Sequence, residues 1–161
     1  ALKHYLRALE IKENKLGSGH PSVAGTRKNI AEVYKHQGKY EEALQYYLRA
    51  LEIYENKLGV DHPTVAGTLN NIGVVYDHQG KYEEALQYYL RALEIYENKL
   101  GVDHPDVART RKNIAEVYKH QGKNDDEKKE EVDIMPNDSQ KTPLFQSDDE
   151  SMPLARSNKE G

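Results

Sequence analysis

The sequence predicts an all-α fold: an α-solenoid of antiparallel helical hairpins over residues 1–122, a charged segment at 123–135 and a disordered acidic tail at 136–161. Three observations carry this reading. Residues 43–63 and 85–105 are the same string, residues 1–21 copy it with five changes (Lys3, His4, Lys12, Ser18 and Gly19), and Thr26 to Lys39 recurs unaltered as Thr110 to Lys123. The period is 42 residues, the mark of a repeat array. Within each unit apolar residues recur at helical spacing, and Gly-Lys or His-Pro interrupts them at fixed places.

Residues 1–16 form the first predicted helix, a half repeat. Leu2, Tyr5, Leu6, Leu9 and Leu16 fall at helical spacing, and Gly17 ends the run. Pro21 opens a helix over about 21–37, since the N–H that proline lacks would be unpaired in a first turn. Val23, Ile30, Ala31 and Tyr34 mark its apolar side. After a turn at Gly38-Lys39, a helix over about 40–58 carries Tyr40, Ala43, Leu44, Tyr47, Ala50, Leu51 and Leu58. The 21–58 hairpin recurs over about 63–100, with Ala66, Leu69, Ile72, Gly73 and Tyr76 on one arm. Tyr82, Ala85, Leu86, Tyr89, Ala92, Leu93 and Leu100 line the other. A half repeat over about 105–121 closes the array. Turns of two to four residues force neighbouring helices to run antiparallel.

Small residues (Ala31, Gly73 and Ala115; Ala43, Ala50, Ala85 and Ala92) stand where backbones approach, with Tyr34, Tyr40, Tyr76 and Tyr82 filling the space beside them. Twelve tyrosines with one Phe and no Trp are mostly this packing repeated, hydroxyls at the rim.

The tail differs in composition. Residues 123–161 hold 11 acids and 6 bases, which leaves the array near neutral within a total of −4. Asn124 followed by Glu127 suits a helix start, so a short charged cap helix over about 125–134 is one reading of that segment, stopped by Pro136. Beyond it, isolated Leu144, Phe145 and Leu154 offer too little apolar surface to offset ordering entropy. Ser147-Asp-Asp-Glu150 resembles a site for an acid-directed kinase, and the acidic tail has the charge to occupy a lysine-bearing surface in cis.

These numbers also narrow the function. A slightly negative chain gives no electrostatic case for nucleic acid or an anionic membrane, and no apolar run has the length of a membrane span. Without cysteine there is no disulfide framework and no thiolate chemistry, which fits a reducing compartment. His20, His62 and His104 precede helix-opening prolines, and His36, His78 and His120 sit near the ends of the same helices. None makes an i, i+4 pair, so they read as capping or surface residues and not as metal ligands. No nucleophile motif and no phosphate-cradling loop appears. No catalytic residue, cofactor or metal is expected.

The pattern resembles the tetratricopeptide repeat, in the 42-residue variety of kinesin light chains and nephrocystin-3-like proteins. The residues that carry the likeness are His62-Pro63, Val65-Ala66, Thr68 to Asn71, Gln79 to Tyr82, Glu84-Ala85, Arg91 to Leu93 and Leu100-Gly101. The resemblance implies a right-handed superhelix whose first helices line a concave, peptide-binding groove. It implies a non-catalytic adaptor or scaffold, cargo-adaptor-like, in a cytoplasmic and cytoskeleton-associated setting. Three features depart from it. Arg27 and Arg111 replace Leu69, which removes an apolar contact from the outer copies. The sequence after Gly122 lacks the Tyr-Glu-Glu-Ala-Leu of a second helix. Heptads for pairing with a motor heavy chain are absent, so motor attachment is not carried over.

Helix periodicity puts Lys28, Asn29, Glu32 and Lys35 on the face opposite the hairpin partner. Their counterparts are Asn70, Asn71, Val74 and Asp77, then Arg109, Lys112, Asn113, Glu116 and Lys119. Asn29, Asn71 and Asn113 make a ladder of amides able to donate to and accept from an extended peptide. The competing reading has the asparagines tying neighbouring helices together, with Lys28/Glu32 and Lys112/Glu116 as solvated pairs. Lys28, Asn71 and Lys112 match a clamp for a C-terminal carboxylate, but Glu32 and Glu116 oppose one, so a peptide of mixed or basic character is expected. A different class of function is a structural spacer that self-associates end to end through Leu2 and Leu6 at one end and Ile114 and Tyr118 at the other.

Overall fold

The computed structural model describes residues 1–134, with side-chain surroundings through Lys123. Six helices follow one another, with no strand among the described residues: α1 (Leu2–Leu16), α2 (Pro21–His36), α3 (Tyr40–Leu58), α4 (Pro63–His78), α5 (Tyr82–Leu100) and α6 (Pro105–Ile134). Ala1–Gly122 is one compact unit, in which α2 pairs with α3 and α4 with α5. The expected tail and Ser147 lie outside the described residues.

The histidines before the prolines cap helices. The Nδ1 atoms of His20 and His62 accept from the N–H groups of Ser22 and Thr64 at 3.0 Å, and His104 accepts from Asp106 at 3.1 Å. Each satisfies a first-turn donor that the helix itself leaves unpaired. One turn on, the buried hydroxyls of Thr26, Thr68 and Thr110 donate back to the carbonyls of Ser22, Thr64 and Asp106 at 3.2, 3.1 and 2.9 Å.

At the other end Gly38 and Gly80 take φ of 77° and 78°. There Lys39 N–H bonds to Tyr34 and Gly38 N–H to Lys35, a closure that left-handed glycine makes inexpensive. Gly122 has no positive φ, and α6 runs through it to Ile134. The physical reason is in the letters that follow. Where Tyr82, Ala85, Leu86 and Tyr89 fold back to bury themselves, the later copy has Asn124, Glu127, Lys128 and Glu131. Nothing apolar there favours a turn, and Asp, Glu and Lys can continue a helix.

The buried core falls into a large cluster reaching from Leu9 to Val107 and a smaller one of Ala85, Tyr89 and Val117. Val23, Ile30, Tyr47, Val65, Leu69, Ile72 and Val75 are wholly buried, each contributing about 1.5–3 kcal/mol for the larger aliphatics. In α1 only Leu9 is buried. Leu6 is exposed, and so are its counterparts Leu48 and Leu90, because this position faces outward in every copy; Leu16 is exposed in the last turn of α1.

The expected loss at Arg27 and Arg111 takes a definite form. Leu69 is fully buried, whereas Arg27 pairs with Glu13 and Arg111 with Glu97, each at 2.5 Å. Glu55, the equivalent acid of the middle copy, has no arginine in that place and pairs with Arg91 of α5.

Candidate peptide-binding surface

The first helices α2, α4 and α6 carry the candidate residues, and two bonds fix how α4 and α6 sit beside each other. Asn113 Nδ2 donates to Asn70 Oδ1 at 3.4 Å, and His120 Nδ1 lies 3.1 Å from Asp77 Oδ1. Both join residues 43 apart, one more than the period, so α4 and α6 lie side by side with their positions offset by one residue. Tyr82 packs on His120 and Tyr40 stacks on His78, with centroids 6.1 and 5.7 Å apart, which closes the seam at its turn end.

The candidates differ in what they are free to do. Asn29 is exposed and Asn71 half-buried, and among the described residues neither makes a side-chain hydrogen bond. Asn113 is spent on Asn70, which is itself buried. One rung of the ladder therefore ties helices together while two stay open. Val74 and Lys28 are half-buried; Lys112 and Lys119 are exposed, and Glu116 is partly so. Asp77 is engaged by His120. Arg109 turns to Asp106 at 2.9 Å and lies against the Tyr96 hydroxyl, away from the ladder.

Glu32 departs from the expected face. Periodicity directs it away from α3, yet its carboxylate accepts from the Tyr47 hydroxyl of α3 at 2.5 Å and pairs with Lys35 at 3.0 Å. Burial pushes the Glu32 carboxyl up, but the Tyr47 bond and the Lys35 ammonium outweigh it and hold the group below its ordinary value. Tyr47 is pushed well up by burial and by the Glu32 charge. In the next hairpin Val74 replaces Glu32, and Tyr89 instead packs its ring into the space that Gly73 leaves. Burial, with Asp77 nearby, raises Tyr89 likewise.

Two further openings lie elsewhere, on the second helices. A cleft of about 440 Å³ is lined by Val60, Asp61, Arg91, Glu94, Ile95, Asn98 and Lys99. One repeat earlier the same positions (Ser18, Gly19, Arg49, Glu52, Ile53, Asn56 and Lys57) line a cleft of about 240 Å³. Sequence reasoning missed both; the signal was there in Ser18 and Gly19, two of the five letters that break the repeat. Among the described residues no group of three His, Asp or Glu side chains could hold a metal ion, and no helix is long and apolar enough to cross a membrane.

The model of the tetratricopeptide repeat matches residues 1–56, 22–98 and 64–128. Among solved structures the chain is similar to BtubC (BKLC) from P. vanneervenii, at 25% identity and a TM-score of 0.70. That match covers 91% of this chain and 62% of BtubC, so the chain spans less than two thirds of that protein's length. A kinesin light chain-like protein of Podosopora anserina with nearly identical TPR-like repeats, and a point variant of it, match at 20% identity. Their TM-scores are 0.62 and 0.64, each over 88% of this chain and 68% of theirs, a likeness of fold. A comparison with curated proteins returns no match. Repeat period, capped hairpins and family model agree: the chain belongs to the tetratricopeptide repeat family.

Proposed function

We propose that the surface of α2, α4 and α6 receives an extended peptide segment of a partner protein, making the chain a non-catalytic adaptor. Tetratricopeptide repeats are protein-interaction scaffolds, and the finer reading rests on one observation. Asn29 and Asn71 stand one repeat apart on successive first helices with their amides uncommitted among the described residues. An amide offers both donor and acceptor, so the pair can grip main chain without demanding a sequence. Charges around it then select. Glu32 and Asp77 are already engaged, which leaves Lys28, Lys112 and Lys119 beside Glu116, a mixed set suited to a peptide of mixed charge. A role in carrying cargo proteins follows the kinesin light chain resemblance.

A peptide array offering each sequence as free acid and as amide tests this, followed by calorimetric titration of the best binder. Asn71→Ala should keep the wild-type helix content and weaken that peptide about fivefold, the loss of one hydrogen bond. Unchanged affinity in Asn71→Ala and Lys112→Ala, or binding confined to free acidic C-termini, would overturn the reading.

A further inference from the structure

The two clefts on the second helices are built from identical helical residues, because residues 43–63 and 85–105 are the same string. They differ in what faces their cations. In the later cleft Lys99 Nζ meets Asp61 Oδ2 at 3.2 Å, and Arg91 is held by Glu55 at 2.5 Å. Both cations are neutralised from within. In the earlier cleft Gly19 stands where Asp61 would, and Glu13, the equivalent of Glu55, is taken by Arg27. Among the described residues Arg49 and Lys57 have no carboxylate within 4.0 Å, although they are the same residues on the same helix face.

We propose that this earlier cleft docks an acidic segment of a partner protein, whose carboxylates take the places that Glu55 and Asp61 fill one repeat later. The later copy shows the chemistry directly: each cation of this helix face accepts a carboxylate when one is within reach. Arg49 and Lys57 are eight residues apart, roughly 12 Å along the helix. An extended chain covers that distance in about four residues, so the segment carries acids at about that spacing. A single small anion would meet one cation and leave the other. Between them Ile53, 9% exposed, gives the segment an apolar floor, and Glu52 on the rim disfavours a ligand with acids at every position. This site lies on different helices from the asparagine ladder and does not depend on it.

The test uses fluorescence anisotropy with a labelled Gly/Ser peptide carrying two glutamates four residues apart, at low and high salt. Two matched double variants remove the same charges from the same helix sequence: Arg49→Ala with Lys57→Ala, and Arg91→Ala with Lys99→Ala. Gly19→Asp supplies the missing internal acid without removing a cation. A Cβ at Gly19 meets only Lys57 Cε, at 4.0 Å, and its φ is not positive, so the substitution fits the fold. We expect salt-sensitive binding that falls at least about fivefold in the Arg49/Lys57 variant and in Gly19→Asp, while the Arg91/Lys99 variant binds as wild type. Absence of binding, equal loss in both double variants, or full binding by Gly19→Asp would overturn the proposal. So would displacement of the peptide by millimolar inorganic phosphate, which would mark an ion site.

Discussion

Gly73 shows how one atom sets the chemistry of a neighbouring residue. A Cβ there would lie 2.7 Å from Tyr89 Cε1, closer than van der Waals contact allows. The preceding hairpin has Ala31 in this place, and its tyrosine, Tyr47, donates to Glu32. Gly73→Ala should therefore cost about 1 kcal/mol by urea denaturation, overpacking outweighing the gain in helix propensity. Adding Val74→Glu, which recreates the Ala31–Glu32 pair, should recover most of it in a double-mutant cycle. Tyr47→Phe removes the donor and should cost about 1 kcal/mol at pH 7. The sign of its pH dependence follows from Glu32, held below 4.5 by Tyr47 and Lys35 against the opposing pull of burial. Its contribution is present above the unfolded pKa and is lost as pH falls through the lower folded value. The gap between wild type and Tyr47→Phe should thus narrow in denaturation curves below about pH 4. None of this was legible from periodicity, which assigns Glu32 a face but cannot follow a tyrosine hydroxyl arriving from the partner helix.

Helices were the legible part, since Gly, Pro and His punctuate them at every repeat, and α2 to α5 begin and end within a residue or so of those marks. The course of α6 was harder to read. Gly122 carries the same local signal as Gly38 and Gly80, and what decides its conformation is the apolar content of the next eleven residues. The ion pairs were equally hidden, because Arg27, Leu69 and Arg111 share a position and differ in which acid reaches it. Arg27 has an Nε buried without a partner, and its side chain is only 12% exposed. Replacing it with the leucine of the middle copy should raise stability by about 1 kcal/mol in thermal or urea melts, as buried ion pairs often yield to well-packed aliphatics. The same variant frees Glu13 to reach Arg49 as Glu55 reaches Arg91, so it should also weaken the acidic peptide.

Across Ala1–Gly122 burial is graded, and stability should be graded with it, because each hairpin of a solenoid is secured by its neighbours. Val65, Leu69, Ile72 and Val75 make α4 the most buried helix, while α1 buries Leu9 alone. Native-state hydrogen exchange should find the slowest amides in α4 and the fastest in α1; uniform protection would contradict this. At this scale the sequence was informative about architecture and silent about the outer clefts, whose chemistry lies in loops and in which acid is already taken. The vacancy left by Gly19 has an evolutionary side. A unit duplicated with its aspartate and its leucine arrives locked; Gly in place of Asp frees one cation, and Arg in place of Leu, by drawing off the glutamate, frees the other. Lengthening the array and giving it a new attachment point are therefore separately heritable steps, the second needing one change in a loop and one on the first helix of the repeat.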